Sequence, residues 1–140
     1  MATAEELERA WQYTRQYYRD EDVESSFRLL AEYAPDVFAG YMAMRRGTFP
    51  VPDVEGSGFT AKWRELLMVA IEVSALMSPP PTYHAQRAIE AGATPDDVAE
   101  VISLCIILRG MISYQQSGRY ALEAATQRAQ VLASQKSAES

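Results

Sequence analysis

The sequence predicts an all-α protein of about six or seven helices joined by short turns. Apolar residues recur at helical spacing along most of the 140 residues, and no alternating pattern typical of strands competes with them. Proline and glycine separate the helical segments, because proline suits a first helical turn and glycine suits the residue after a last one. This length is typical of one domain, and we predict a single domain over 1–133 followed by a flexible tail at 134–140.

Composition and charge argue against several classes of partner. The net charge is -6, and no basic run is longer than Arg45-Arg46, so we expect neither nucleic acid nor a membrane surface as a partner. The N-terminus lacks a signal-peptide pattern and no apolar stretch reaches the roughly 18 residues of a membrane span, so we expect a cytoplasmic protein. One cysteine and one histidine exclude an internal disulfide and an all-protein Cys/His metal site, and no metal is expected.

Three helices are predicted before the centre of the chain. Thr3 opens the first, which reaches about Tyr18 and carries one stripe of larger side chains, Leu7, Trp11, Thr14 and Tyr18. Asp22 can cap a second helix that reaches about Ala34. Pro35 starts a third that ends near Gly47, and a loop rich in glycine and proline follows at 47–59.

The central helix carries two carboxylates on an otherwise apolar surface. Thr60 caps this helix, which we expect to end near Met77 or Ser78 before three consecutive prolines. Glu65 and Glu72 are seven residues apart and lie only about 20° from one another around the helix. A buried carboxylate needs a partner, a wet cavity or a bound proton. The alternative is that this face meets solvent at a subunit edge, where the two glutamates only increase solubility.

A fifth helix begins at about Pro81 and places His84, the only histidine, in its first turn. A lone histidine in a helix is usually a structural or surface residue, and so His84 alone is weak evidence of a site. Gly92 ends this helix, and Thr94 and Pro95 start the next, which ends at Arg109-Gly110 and buries Cys105 as an inert thiol. A last helix is predicted from about Ser113 to Leu132.

Two stretches, KWRELLMVAIEVSALM and YHAQRAIEAGATPDDVAEVISLCIILRG, resemble the carboxymuconolactone decarboxylase superfamily, which includes the alkylhydroperoxidase D proteins. The resemblance covers roughly residues 35 to 125. It implies an orthogonal, alkylhydroperoxidase D-like helical bundle that forms a homo-oligomer, a trimer or a hexamer. It also implies chemistry without a cofactor.

The peroxidase branch of this superfamily has a glutamate, two redox cysteines and a histidine at fixed spacing. In this sequence that spacing falls on Glu65, Met77, Pro80 and His84, so the acid-base pair is present and both cysteines are absent. Without a thiolate there is no nucleophile for a hydroperoxide and no disulfide to form. The thiol peroxidase function is therefore disfavoured, and Glu65 rather than Glu72 is the expected partner of His84.

The decarboxylase branch implies a small carboxylic acid substrate, an unsaturated lactone acid or an oxo acid. On that resemblance His84 is the predicted general acid and Glu65 sets its protonation state, while Glu72, Tyr83 and Arg109 are predicted to contact the substrate. The acidic residues that precede the histidine in that branch are absent here, where the chain reads Met-Ser-Pro-Pro-Pro-Thr-Tyr. Two alternatives stay open: a non-catalytic binding or scaffold protein, and an isomerase or hydrolase that uses the same pair.

Overall fold

The structure is a computed structural model that describes residues 1–18, 25–51 and 58–139. All regular secondary structure in these ranges is helical, and it comprises α1 (Ala4–Tyr18), α2 (Arg28–Tyr33), α3 (Pro35–Thr48), α4 (Ala61–Ser74), α5 (Thr82–Glu90), α6 (Pro95–Arg109) and α7 (Arg119–Glu139). A π-helical turn, Tyr114–Gly118, leads directly into α7. The prediction of an all-α protein with six or seven helices is confirmed for these residues. None of the described helices has both the length and the hydropathy needed to cross a membrane.

Two compact units divide the chain, Met1–Gly56 and Ser57–Ser140. The single domain predicted over 1–133 therefore stays a prediction. The last helix runs to Glu139, beyond the predicted end at Leu132, because the segment after Leu132 consists largely of residues that favour helix, such as Ala, Gln, Lys and Glu. Residues 134–139 are thus helical, although we predicted a tail there.

The first unit packs α1 and α2 against α3 around an aromatic cluster. The predicted stripe on α1 is partly wrong, because the buried face consists of Ala10, Tyr13, Thr14 and Tyr17. The Tyr13 hydroxyl donates to the Phe49 carbonyl oxygen at 2.8 Å, and the Arg45 guanidinium lies 4.8 Å from the Tyr17 ring centroid. Both contacts pack the buried face of α1 against residues at the C-terminal end of α3. Asp22, the predicted cap of the second helix, and 52–57 of the predicted loop lie outside the described residues.

The second unit places α4 against both α5 and α6, and α7 against α5. Its core is formed by small and branched apolar side chains, including Val69, Ala85, Val98 and Ala121. The predicted start of α6 is confirmed, because the Asp97 N–H donates to Thr94 Oγ1 at 3.1 Å and the Thr94 N–H donates to Asp97 Oδ2 at 2.8 Å. The unit thereby fixes α4 between the two helices that follow it.

The central helix ends at Ser74, earlier than the predicted Met77 or Ser78. The reason is a left-handed residue, Leu76, whose φ is 54°. Its N–H donates to the Val73 carbonyl at 3.2 Å, and the Met77 N–H donates to the Glu72 carbonyl at 3.0 Å, the pattern of a Schellman motif. Gly92 occupies the same position at the end of α5, so one helix closes through glycine and the other through leucine.

Candidate active site

The packing of α4 against α5 brings His84 between the two glutamates of α4. Nδ1 of His84 lies 2.7 Å from Glu65 Oε2, which is the predicted contact. Nε2 lies 3.5 Å from Glu72 Oε1. Each ring nitrogen therefore faces a different carboxylate, and we call the three side chains Glu65, His84 and Glu72 the carboxylate-imidazole row.

The row lies in the interior of the second unit. Glu65 and His84 are both buried, beside the buried apolar side chains of Leu66, Val69 and Ala85. Charged and polar groups interact more strongly in such surroundings than in water, because the local dielectric constant is low. The alternative of a solvated glutamate face is therefore wrong for Glu65, whose carboxylate is held by His84.

Nε2 of His84 and Oε1 of Glu72 face each other across a gap of 3.5 Å. A neutral imidazole donates through one nitrogen only, so a ring that donates from Nδ1 to Glu65 presents a lone pair to Glu72. A second proton on the ring, or a proton on the Glu72 carboxyl, would lie in the gap between Nε2 and Oε1. The proton can thus occupy either side of the Nε2–Oε1 gap, as in a relay.

The other two predicted site residues differ in where they lie. The Tyr83 ring meets the His84 ring edge to face, with centroids 5.7 Å apart and an interplanar angle of 81°. Arg109 lies exposed at the C-terminal end of α6, where its guanidinium makes no hydrogen bond or ion pair with any described residue. The structure thus brings Tyr83 to the row and does not bring Arg109 to it.

Neither redox position of the peroxidase pattern supplies a thiol to this site. Met77 and Pro80 occupy those positions, and the only cysteine is Cys105. Cys105 is buried as predicted, and its thiol donates to the Val101 carbonyl at 3.3 Å. The chemistry available at the row is therefore proton transfer.

The row does not have the arrangement of a metal site. The two glutamates approach His84 from opposite sides of the ring, so their oxygens do not converge with a ring nitrogen on one point. In the described part of the chain no group of three or more His, Cys, Asp or Glu side chains is placed to hold a metal ion. A cavity of about 420 Å³ belongs to the first unit, and none of the predicted site residues lines it.

A protein family matches more than half of the chain. The model of the carboxymuconolactone decarboxylase family matches residues 35–127, which include α4, α5 and all three residues of the row. The chain belongs to the carboxymuconolactone decarboxylase family. The resemblance in the sequence is thereby confirmed, and this family member has one cysteine and so lacks the redox pair.

The solved structure of another protein has the same fold as this carboxymuconolactone decarboxylase family member. The crystal structure of a Burkholderia xenovorans LB400 protein, provisionally named a carboxymuconolactone decarboxylase, is similar with 26% identity and a TM-score of 0.77. The similarity covers 94% of this chain and 96% of that one. The predicted alkylhydroperoxidase D-like fold is therefore confirmed. No curated protein matches the sequence.

Sequence reasoning assigned Glu72 to the substrate and missed its contact with His84. The available signal was the seven-residue spacing of the glutamates, which places both carboxylates on one side of α4. That spacing is two helical turns, a rise of about 10.5 Å, and it leaves room for one imidazole ring between the two side chains. The position of His84 between the two glutamates can be recognised only once it is known where along α4 the helix α5 crosses.

Proposed function

We propose that the protein is a cofactor-independent decarboxylase of the carboxymuconolactone decarboxylase type, acting by acid-base catalysis on a small unsaturated lactone acid or oxo acid. The observation that carries the proposal is the imidazole of His84 between two carboxylates, 2.7 Å and 3.5 Å away, in an apolar helix pair. Titratable groups that share protons in a desolvated setting are typical of catalytic sites. Membership of the family supports the reaction type.

The reaction needs one proton and one electron sink. The bond between the substrate carbon and its carboxylate breaks, CO2 leaves, and the electron pair passes into the conjugated carbonyl to give a dienolate. A proton then adds to carbon, so that one proton is consumed for each CO2 released and solvent restores it. Positioned acids contribute roughly 10² to 10⁴ to the rate of such steps, and the row can supply that proton.

The test is CO2 release from a panel of unsaturated lactone acids and oxo acids. We expect release by the wild-type protein from at least one acid, and a loss of about 10²-fold or more in His84→Ala. Glu100→Ala, at an exposed position of α6 outside every predicted site, serves as the control for a charged residue and should keep wild-type CO2 release. Its circular dichroism and that of His84→Ala should equal the wild type. No CO2 release above buffer from any acid would sink the proposal.

A second candidate function is a scaffold protein in which the row is a buried polar tie. The low exposure of Glu65 and His84 favours it, because a closed contact does not meet substrate. A third candidate function is isomerisation or lactone hydrolysis by the same row. The same panel of acids distinguishes it from decarboxylation, because NMR would show a moved double bond or an opened ring without CO2. The stability of variants with apolar side chains in place of Glu65 and His84 separates the tie from both enzymes.

We also propose that the chain forms a homo-oligomer, a trimer or a hexamer. Its support is the apolar surface at the C-terminal half of α6, where Leu104, Ile107 and Leu108 are 62%, 78% and 80% exposed. Exposed apolar patches of this kind mark interaction surfaces. Ile107→Glu should reduce the mass measured by light scattering, whereas Gln130→Glu on α7 should leave it unchanged. A monomeric wild-type protein would contradict the proposal.

A further inference from the structure

The three side chains of the row differ in how far they reach toward the surface. The exposed fraction is 4% for the Glu65 side chain, 10% for His84 and 15% for Glu72. Glu65 is therefore the inner end and Glu72 the outer end. A small molecule from solution therefore meets the outer end first.

The ring of His84 has no nitrogen that faces away from both carboxylates. Nδ1 is held by Glu65 at 2.7 Å, a distance typical of a strong, charge-assisted hydrogen bond. Nε2 faces Glu72 at 3.5 Å, longer than the roughly 2.7–3.2 Å of an ordinary N–H···O bond. The inner contact is thus the shorter and stronger of the two, and the outer contact joins His84 to the more exposed carboxylate.

We propose that Glu72 is the catalytic residue that delivers the proton to the substrate carbon, and that His84 is a positioning residue that passes the proton to Glu72. The proposal deepens the proposed decarboxylase function and rests on it. The proton moves from His84 Nε2 to Glu72 Oε1, and from the Glu72 carboxyl to the carbon that loses CO2. The ring is left neutral, with Nδ1–H still donating to Glu65, and water returns one proton to Nε2 afterwards.

The first test compares the two glutamates by chemical rescue. Glu72→Ala should lower kcat by about 10²-fold or more, and sodium formate should restore turnover in a concentration-dependent way, because the vacated position lies at the outer end. Glu65→Ala is the matched control. It removes the same group at the inner end, and formate should not restore the turnover of this variant. Wild-type kcat in Glu72→Gln, or equal rescue of both alanine variants, would overturn the proposal.

The second test does not depend on turnover. The chain has one histidine, so the imidazole ¹⁵N signals belong to His84 alone. Glu72→Ala should change the Nε2 signal and leave the Nδ1 signal in place, and formate should return Nε2 toward the wild-type position. Glu65→Ala should change Nδ1 and show no return with formate.

Together the two tests distinguish failure of the proposed decarboxylase function from failure of the proposed role of Glu72. A wild-type protein that releases no CO2 from any acid refutes the decarboxylase function, whatever the ¹⁵N signals show. An active wild-type protein whose Nε2 signal is the same in Glu72→Ala refutes the role of Glu72 and leaves the decarboxylase function standing. An Nε2 signal that changes but does not respond to formate also refutes the role of Glu72, since the outer end would then be closed to small acids.

Discussion

Replacement of the buried Glu65–His84 contact by apolar side chains should reveal whether it stabilises the fold. Glu65→Leu leaves a buried ring N–H without its acceptor, at a cost of about 1–3 kcal/mol for a neutral ring. The cost rises to about 3–5 kcal/mol if the ring is ionised, because a buried charge then lacks its partner. The double variant Glu65→Leu/His84→Leu removes both groups. Such replacements are often neutral or stabilising by about 1–4 kcal/mol.

The assay is urea unfolding followed by circular dichroism, at one protein concentration so that any assembly contributes equally. We expect the single variants Glu65→Leu and His84→Leu to lose stability, because each leaves one buried polar partner behind, and the double variant to regain at least the wild-type value. A polar contact that costs stability and is nevertheless present must serve another purpose, which favours the enzyme. If the double variant is as unstable as the worse single variant, the contact is a stabilising tie and the reasoning fails.

Two further predictions concern packing and pH. A Cβ at Gly118 would lie 2.9 Å from Ile102 Cγ2; Gly118→Ala should therefore destabilise by about 1–3 kcal/mol. Gly40→Ala, with open space around it, should stabilise by up to about 1 kcal/mol, and equal effects in thermal unfolding would contradict the packing argument. The hydrogen bond from the Lys62 ammonium lowers the pKa of Asp97, so its stabilisation is present above about pH 3.9 and is lost as the pH falls through the lowered pKa. Asp97→Asn should flatten that acid side of the stability curve, and an unchanged slope in acid denaturation would refute it.

The sequence predicts a helix end that a known side-chain pattern marks and misses one that is marked only by the backbone conformation of a leucine. The start of α6 was predictable because Thr94 and Asp97 form its capping box within four residues of chain. The end of α4 was not, because its left-handed position holds Leu76, and leucine gives no signal for a positive φ. Backbone hydrogen bonds to the Val73 and Glu72 carbonyls hold that turn, and nothing in the local sequence marks them.

The candidate site, too, could be predicted from the sequence only in part. Helical periodicity predicts that Glu65 and Glu72 share one side of α4, and the family pattern links Glu65 to His84, but neither gives the level at which α5 crosses α4. That level depends on the early end of α4 and on the turn through residues 75–81, whose backbone conformation the side-chain pattern does not give.

The spacing of the glutamates explains how one ring can meet both of them. Carboxylates one turn apart on a helix, separated by a rise of about 6 Å, would both approach the same edge of a ring and repel each other there. Two turns, a rise of about 10.5 Å, allow His84 to enter between them from α5, so that Nδ1 and Nε2 each have a carboxylate. The absence of thiols from Met77 and Pro80 then leaves a site that can move a proton but cannot reduce a peroxide. Proton delivery through Glu72 is the function that this arrangement best fits.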